Sequence, residues 1–381
     1  MRVAFYAPLK PPDHPVPSGD RRMARLLVGA LELAGCRVEL ASRMRSFDGT
    51  GDRTRQTRIR ALGERLAQRY LDRRGGERPD IWFTYHLYHK APDWIGPRVS
   101  GALGIPYVVA EASFAPKQAG GPWAIGHDAV AEALGGARQV ICLNPDDAEC
   151  LEPLLSGRGI LAMLRPFLDT APARAAAGRR DTGRRQLAGQ YGLDPEIPWL
   201  AVAAMMRPGD KLASYRILGD ALRRLGDRRW VLLVAGDGEA RADVEAALGT
   251  GDRTRYLGAL DRAALDRLHA AADLAVWPAV NEAYGMALLE AQAAGLPVVA
   301  GDRAGVRQVV RDGRTGLLVA EGDGAAFAAA VGGLLDDPAR RRAMGAEALR
   351  VTAADHDIAA ATRRLKTVLA QASQPLTEAI P

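Results

Sequence analysis

The chain has 381 residues, of which 48% are hydrophobic and 25% charged, with a formal net charge of +6 and a mean hydropathy of −0.12. This length favours two domains, and the sequence has no run of 18 or more apolar residues that would predict a transmembrane helix. The positive charge suits a partner rich in phosphate, but aromatic residues are only 6% of the chain and no basic stripe interleaves with them, so we do not expect nucleic-acid binding.

The first residues predict a buried strand rather than a signal peptide, because the apolar run 3–7 is short and prolines follow it. Three cysteines, Cys36, Cys142 and Cys150, are odd in number and widely spaced, which argues against a disulfide framework and against a zinc site. We therefore expect reduced thiols in a cytoplasmic protein. Peripheral contact with the inner face of the membrane stays open at this point.

Strand-like and helix-like runs alternate over the first 169 residues. A helical run at 21–35 ends at Gly35. This rhythm is typical of an open parallel sheet flanked by helices, so 1–169 is predicted to form one doubly wound, Rossmann-like domain. The predicted strands are 2–7, 36–42, 79–86, 106–113 and 137–144.

The region 43–78 differs in composition, with eleven arginines against five acidic residues. Its apolar residues share one helical face: Ile59, Leu62, Leu66 and Tyr70. One interpretation is a basic amphipathic helix that meets an anionic lipid or phosphorylated acceptor, with peripheral membrane contact through 53–74. The favoured interpretation is a surface helix whose apolar stripe packs on its own domain.

A segment rich in Ala, Arg and Gly at 170–189 lacks a strand pattern and is predicted to be a linker. The alternation then resumes, so 190–354 is predicted to form a second Rossmann-like domain. Two such domains facing across a cleft would bind ligands beyond the carboxyl ends of their strands. Residues 355–381 are predicted to form a C-terminal helix, and packing of that helix back on the N-terminal domain is left open. The predicted strands of the second domain are 198–206, 230–238, 253–258, 295–302 and 315–320, with a further strand that ends at Pro278.

The stretch 277–302, WPAVNEAYGMALLEAQAAGLPVVAGD, carries two glutamates eight positions apart, Glu282 and Glu290. Gly285 lets the backbone approach a ligand closely. The amides of Gly285 and Met286 lie at the start of a predicted helix, where anions bind. The two carboxylates could therefore meet hydroxyl groups on either side of a bound phosphate. The alternative is that Glu282 caps the helix and Glu290 is solvated, and this stretch alone does not decide between them.

Two further stretches extend the pattern: LLVAGDGEAR at 232–241 and GLPVVAGDRAGVRQVVRDGRTGLLV at 295–319. In this order the three stretches resemble the donor-binding domain of retaining glycosyltransferases of family 4, in which Glu282 and Glu290 match the E-x7-E motif. The resemblance is specific over roughly 198–320 and weaker over 1–169. It implies the α/β GT-B fold, with an acceptor-binding N-terminal domain and a donor-binding C-terminal domain.

The resemblance assigns roles in binding a nucleotide-diphosphate sugar. Glu290 would accept hydrogen bonds from the ribose, and Glu282 would contact the transferred sugar and take part in catalysis. Gly236 would permit close approach of the donor. The remaining donor contacts would be the backbone of Tyr284, Gly285 and Met286 at the distal phosphate, and Tyr256 and Leu257 beside the base.

A pair of cations should neutralise the departing diphosphate, because donors placed for developing charge are usually the largest catalytic contribution. Lys211 matches the family pattern. Arg207 and Lys211 have three residues between them, where the family usually has four. Either Arg207 acts from a shifted loop, or Met206 holds the usual arginine position and the role has moved. The chain's Asp-x-Asp, at 355–357, starts no strand pattern. The resemblance therefore implies no metal and no cofactor.

Acceptor contacts are expected in the N-terminal domain. Ser18 and Gly19 open a predicted helix and resemble the family's glycine-rich loop, with an ordinary helix start as the alternative. Many family members have a histidine near the strand end where this chain has Glu111, so Glu111 is a candidate catalytic group. His86 is a second catalytic candidate and His89 a candidate acceptor contact. Two histidines three apart could also suggest a metal, but no third ligand is evident.

The predicted function is retaining, metal-independent transfer of a hexosyl group from a nucleotide-diphosphate sugar to a hydroxyl acceptor. The acceptor could be a polysaccharide, a lipid-linked sugar or a small glycoside. Two alternatives stay open. One is a sugar-nucleotide 2-epimerase or glycoside phosphorylase of the same fold, and the other is a non-catalytic nucleotide-sugar-binding scaffold in polysaccharide biosynthesis.

Overall fold

A computed structural model describes residues 1–16, 18–72, 78–155, 159–249 and 251–374. The chain divides into two compact units. The N-terminal unit comprises Met1–Leu164 and the returning segment from Ile358, and the C-terminal unit comprises Arg165–Asp357. Each unit contains one six-stranded sheet in which the paired strands are parallel. The prediction of two doubly wound α/β sheets is confirmed.

The sheet of the N-terminal unit has the order β2-β1-β3-β4-β5-β6. Its strands are β1 (Arg2–Tyr6), β2 (Arg37–Ser42), β3 (Ile81–Leu87), β4 (Tyr107–Ala112), β5 (Gln139–Cys142) and β6 (Ile160–Met163). Its first five helices are α1 (Gly19–Leu33), α2 (Arg53–Leu71), α3 (Gly96–Leu103), α4 (Ala124–Gly135) and α5 (Pro145–Leu151). The strand order reverses between β1 and β3, which is where a doubly wound sheet binds its ligands. The short edge strand β6 was not predicted from the sequence.

The sheet of the C-terminal unit has the order β12-β11-β10-β7-β8-β9. Its strands are β7 (Trp199–Ala203), β8 (Val231–Ala235), β9 (Thr254–Gly258), β10 (Leu274–Trp277), β11 (Val298–Gly301) and β12 (Gly316–Val319). The first helices are α6 (Ala171–Ala177), α7 (Arg180–Tyr191), α8 (Asp210–Arg223), α9 (Arg241–Leu248) and α10 (Arg262–Ala271). The later helices are α11 (Met286–Ala293), α12 (Ala304–Arg307), α13 (Gly324–Asp336) and α14 (Pro338–Asp355). Here the order reverses between β7 and β10, as in the dinucleotide-binding sheet.

The segment 170–189, predicted to be a linker, forms α6 and most of α7 and packs on α10 within the C-terminal unit. Arg180 and Arg184 explain this placement. Both donate to carbonyl oxygens at the C-terminal end of α10, and they pair with Asp273 at 2.7 and 2.9 Å. Guanidinium groups stabilise helix C-termini, so these arginines anchor the segment to the unit that follows it.

The last described helix, α15 (Ile358–Ala372), returns to the N-terminal unit and packs against α1. The Thr362 hydroxyl donates to the carbonyl oxygen of Ala30 at 3.4 Å. The chain therefore passes from the N-terminal unit to the C-terminal unit after Leu164 and returns to the N-terminal unit at Ile358.

The arginine-rich helix α2 packs on its own unit through Gln56, Gly63 and Ala67, which are buried. A Cβ on Gly63 would lie 2.3 Å from Cβ of Trp94, so only glycine permits this approach. Leu62, assigned to the same apolar stripe from the sequence, is 42% exposed instead. Arg73 and Arg74, the end of the predicted membrane-contact region, lie outside the described residues. In the part of the chain that is described, no helix has the length and apolarity needed to cross a membrane.

Candidate functional site

Two helices of the C-terminal unit begin at the point where the strand order reverses. The chain leaves β7 through 204–209 into α8, and it leaves β10 through 278–285 into α11. The residues before the two helices, Gly209 and Gly285, have φ of 78° and 68°. Neither helix has a side-chain hydrogen bond at its N-cap. Uncapped helix N-termini point N–H groups and a positive partial charge outward, which suits an anion.

Lys211, in the first turn of α8, meets Glu282, in the loop after β10. The Lys211 Nζ lies 2.6 Å from Glu282 Oε2, and the two side chains are 29% and 19% exposed. Trp277, the last residue of β10, contacts both groups. Its indole N–H donates to the same Glu282 oxygen at 3.4 Å, and Lys211 Nζ lies 5.4 Å from the ring centroid. The sequence-predicted Lys211 and Glu282 are therefore brought together, and the contribution of Trp277 was missed.

The loop that carries Glu282 is fixed by polar contacts. The Asn281 side chain donates to Asp210 at 3.1 Å and accepts from Arg303 at 3.2 Å, while its backbone N–H donates to Glu321 at 2.9 Å. Asn281 and Ala279, two residues before it, have φ of 48° and 56°, a conformation that non-glycine residues rarely adopt. Such strain persists only where surrounding contacts hold it, so these contacts fix the position of the Glu282 carboxylate.

Arg207 and Met206, the two alternatives for the second cation position, differ in accessibility. The Arg207 side chain is exposed and forms no ion pair with any residue that the structure describes. Met206 is fully buried, and its backbone bonds to the loop after β8. The buried Met206 side chain supplies no charge, and which of the two positions corresponds to the usual arginine stays a prediction. Arg207, whose side chain is exposed, is a candidate for the second cation.

Glu290 lies on α11, 4% exposed, and its Oε2 is 3.3 Å from a guanidinium nitrogen of Arg262. Arg262 also pairs with Asp266, one turn along α10, at 2.7 Å. Glu290 is therefore buried rather than solvated, which excludes the alternative left open for it. The sequence shows the Arg262–Asp266 spacing of one helical turn, but it does not show that α10 faces α11.

Gly236 has a structural reason to be glycine. Its φ is 147°, and a Cβ there would lie 1.9 Å from the carbonyl oxygen of Ala204. The loop after β8 therefore packs directly against the loop after β7, which carries Arg207. Tyr256 and Leu257 lie half-buried in the neighbouring strand β9.

The predicted phosphate contact, the backbone of Tyr284–Met286, begins α11. Gly305 supports it from α12, because a Cβ on Gly305 would lie 1.6 Å from the Ala283 carbonyl oxygen. Tyr284 and Met286 are half-buried and Gly285 is buried. Tyr284 and Gly285 end the loop that carries Glu282, and Met286 begins α11.

A second polar cluster lies in the N-terminal unit, where its strand order reverses. His86 in β3 and Glu111 in β4 both have left-handed backbone, with φ of 63° and 59°. The His86 Nδ1 lies 3.2 Å from an oxygen of Asp20, in the first turn of α1, and 3.6 Å from one of Glu111. Burial lowers the pKa of His86, but Glu111, Asp20 and Asp147 outweigh it, so the pKa is raised. Contact with His86 lowers the pKa of Asp20, a residue that no motif in the sequence indicates.

The other predicted acceptor contacts have ordinary structural roles. The Ser18 hydroxyl accepts from the Arg21 N–H at 3.2 Å, a normal N-cap, and Gly19 is the first residue of α1. His89 packs edge-on against Trp123, with centroids 5.8 Å apart, and burial lowers its pKa. The ring of Tyr88 lies between the two imidazoles, 5.1 Å from His86 and 5.4 Å from His89. Among the described residues, no group of three or more His, Cys, Asp or Glu side chains is arranged to hold a metal.

Asp147 adds a titratable group to this cluster. Burial, with Glu111 and Asp146 nearby, raises its pKa to about 6. The pKa of an aspartate in an unfolded chain is about 3.9. Between these values the folded protein keeps a proton that the unfolded chain has released. The stability that protonated Asp147 contributes is therefore fully present below about pH 4. It is lost as the pH rises through about 6, and the free energy of unfolding stays reduced above that pH.

We expect Asp147→Asn to raise the free energy of unfolding by about 1 kcal/mol at about pH 8 and to change it little at about pH 4. The value allows for solvent screening of a partly exposed carboxyl. Urea unfolding at the two pH values measures the difference. Glu149→Gln, which removes an exposed carboxylate from the same helix, is the control. An equal gain at both pH values would contradict the assignment.

The sequence of the C-terminal unit matches a known protein family. Residues 199–337 match the family model of glycosyl transferases group 1. Over 197 residues the chain is 36% identical to a D-inositol 3-phosphate glycosyltransferase of Nocardia farcinica, which covers 49% of this chain and 43% of that protein. The chain spans about half the length of the curated relatives it matches.

Solved structures match nearly the whole chain. The Anabaena protein HepE, solved in complex with UDP-glucose, aligns with a TM-score of 0.69 and 17% identity over 97% of this chain and 99% of that chain. An α,α-trehalose-phosphate synthase of Burkholderia xenovorans, solved with glucose-6-phosphate, aligns with a TM-score of 0.73 and 14% identity over 97% of this chain and all of that chain. With two six-stranded parallel sheets and this likeness, the chain has the GT-B fold.

Proposed function

We propose that the protein is a glycosyltransferase that moves a hexosyl group from a nucleotide-diphosphate sugar to a hydroxyl acceptor. The observation that carries this proposal is the contact of Lys211 with Glu282 beside two uncapped helix N-termini. This cation and this carboxylate lie where the strand order reverses, inside the segment that matches group 1 glycosyl transferases. The diphosphate of a sugar nucleotide needs a cation, and the hydroxyl groups of its sugar need a hydrogen-bond acceptor such as a carboxylate.

The donor is held by the C-terminal unit in this proposal. Lys211 and the amides that begin α8 and α11 bind the diphosphate, and Arg207 moves in as the second cation. Glu282 accepts hydrogen bonds from the transferred sugar, and Glu290 accepts them from the ribose. Negative charge grows on the diphosphate as the sugar departs, and preset donors stabilise that charge without a metal.

The proposed mechanism retains the anomeric configuration, as the resemblance to family 4 implies. The acceptor hydroxyl attacks the anomeric carbon on the face from which the diphosphate leaves, forming the new glycosidic bond as the old one breaks. The hydroxyl proton passes to the departing phosphate oxygen. The role of Lys211 is then to keep that phosphate in place while it receives the proton.

The acceptor is assigned to the N-terminal unit. The cluster of Asp20, His86 and Glu111 offers carboxylate oxygens and an imidazole to sugar or polyol hydroxyls. The relatives named as D-inositol 3-phosphate glycosyltransferases and the neighbour solved with glucose-6-phosphate suggest phosphorylated polyols and sugars as the first acceptors to test. A cytoplasmic location and peripheral membrane contact through 53–74 remain predictions.

The test is incubation of the protein with UDP-glucose and other sugar nucleotides, with and without inositol 3-phosphate, glucose-6-phosphate and a chelator. We expect release of the nucleoside diphosphate that depends on the acceptor and that the chelator leaves unchanged. We also expect the new glycosidic bond to have the same anomeric configuration as the donor. Turnover of the donor without any acceptor would favour an epimerase, and dependence on inorganic phosphate would favour a phosphorylase. Binding without turnover would favour the scaffold alternative.

A further inference from the structure

Trp277 joins the two charged groups of the proposed donor site. One oxygen of Glu282 receives both the Lys211 ammonium group, at 2.6 Å, and the Trp277 indole N–H, at 3.4 Å. The second oxygen of Glu282 has no hydrogen bond with any residue the structure describes. One carboxylate oxygen is thus occupied by the protein, and the other is left for a ligand.

The position of the Trp277 indole is fixed by Tyr215. Trp277 is 5% exposed and packs edge-on against Tyr215, with centroids 5.1 Å apart. The Tyr215 hydroxyl donates to the Ala204 carbonyl oxygen at 3.0 Å, which ties the tyrosine to the loop after β7. The Trp277 ring therefore has little freedom, and its N–H has a fixed direction toward Glu282.

Lys211 cannot pair fully with Glu282 and with a bound diphosphate at the same time. In the protein without ligand its charge is compensated by Glu282, and it also lies near the face of the Trp277 ring, a favourable place for a cation. A diphosphate that binds Lys211 must compete with Glu282 for it. Once Lys211 turns to the phosphate, the indole N–H is the contact that still orients the carboxylate.

We propose that Trp277 is a positioning residue that keeps the Glu282 carboxylate aimed at the transferred sugar, and that Glu282 competes with the donor's diphosphate for Lys211. This inference rests on the proposed function. It gives Glu282 two roles: with the sugar present, Glu282 binds sugar hydroxyls and releases Lys211. After the sugar has been transferred, Glu282 takes Lys211 back and so weakens the hold on the nucleoside diphosphate.

The first test is Trp277→Phe, which keeps an aromatic ring and removes the N–H. Losing one hydrogen bond to a charged group weakens the binding of UDP-glucose by about tenfold, equivalent to about 1.4 kcal/mol, and does not weaken the binding of UDP. Trp230→Phe is the matched control, because Trp230 is also buried in the C-terminal unit but contacts Arg253 rather than Lys211 or Glu282. Equal weakening of both ligands by Trp277→Phe would overturn the inference.

The second test is Glu282→Gln, which preserves shape and removes the competing charge. We expect UDP to bind about five- to tenfold more tightly than to the wild type, while UDP-glucose turnover falls. UDP that binds Glu282→Gln no more tightly than the wild type would contradict the competition between Glu282 and the diphosphate.

A measurement without nucleotide separates this inference from the proposed function. A double-mutant cycle with Lys211→Met and Glu282→Gln gives the coupling of the two residues in the unfolding free energy of the ligand-free protein. We expect that coupling to shrink in the Trp277→Phe background and to be unchanged in Trp230→Phe. Coupling that Trp277→Phe leaves intact would overturn the positioning role. If that coupling shrinks as expected but the wild type binds no nucleotide, the positioning role stands and the proposed function fails.

Discussion

Lys211→Met is expected to lower kcat/KM for glycosyl transfer by about 100- to 1,000-fold, because it removes a preset cation from the diphosphate as that group leaves. Lys211 lies in the first turn of α8, and its Nζ already faces the loop that would hold the sugar. The lost contact is stronger in the transition state than in the bound donor, so kcat should fall more than donor affinity. Steady-state kinetics with UDP-glucose would separate the two effects.

Arg216→Met is the matched control for this prediction. Arg216 lies on the same helix, is exposed, and forms no ion pair with any other described residue. Its loss removes the same charge and leaves the proposed site unchanged. Comparable activity losses in the two variants would mean that net charge, rather than a contact of Lys211, governs the rate. Unchanged activity in Lys211→Met would remove Lys211 from the mechanism.

Glu290→Gln is expected to weaken the binding of a nucleoside diphosphate by about 10- to 100-fold, because hydrogen bonds to a charged acceptor contribute about 1.5–3 kcal/mol. Glutamine is the better choice than alanine here. Glu290 is 4% exposed and lies against Arg262, so truncation would leave a cavity and a guanidinium paired with Asp266 alone. Such a change would confuse a loss of stability with a loss of binding. Isothermal titration calorimetry with UDP measures the affinity directly.

The control for Glu290 is Glu245→Gln on α9, where the carboxylate is exposed and pairs with Arg241 at 2.8 Å. That pair is at the surface, so its loss should alter stability by less than about 1 kcal/mol and leave nucleotide binding unchanged. If Glu290→Gln bound UDP as tightly as the wild type, the buried Glu290 would be a structural partner of Arg262 and no ribose contact.

The sheets were predictable because their strands are continuous apolar runs. The segments 2–7, 79–86 and 230–238 alternate with helical patterns, and this periodicity identifies parallel sheets without any knowledge of contacts. The segment 170–189 was predicted to be a linker because its arginines resemble solvated linker residues. In the structure Arg180 and Arg184 instead bind the carbonyl oxygens that end α10, a contact between elements that periodicity does not encode.

The candidate site was predictable where function follows local spacing. Glu282, Glu290 and Lys211 could be selected because their spacing and flanking motifs lie within short stretches. The contacts of Trp277 with Lys211, of Arg262 with Glu290, and of Asp20 with His86 join residues that are far apart in the sequence or lie on different elements. They depend on strand order and on the left-handed backbone at His86 and Glu111, which no local pattern predicts.

The most direct test of the central claim, that the C-terminal unit binds a nucleotide-diphosphate sugar, is thermal unfolding of the wild type and of Glu290→Gln with UDP, GDP, ADP and their common sugar conjugates. A ligand at about 100 times its dissociation constant adds about 2.7 kcal/mol to the free energy of unfolding. We predict that one nucleotide family stabilises the wild type to this extent and stabilises Glu290→Gln much less at the same concentration. Absence of stabilisation by every nucleotide would contradict the claim and leave 277–302 as an ordinary loop and helix.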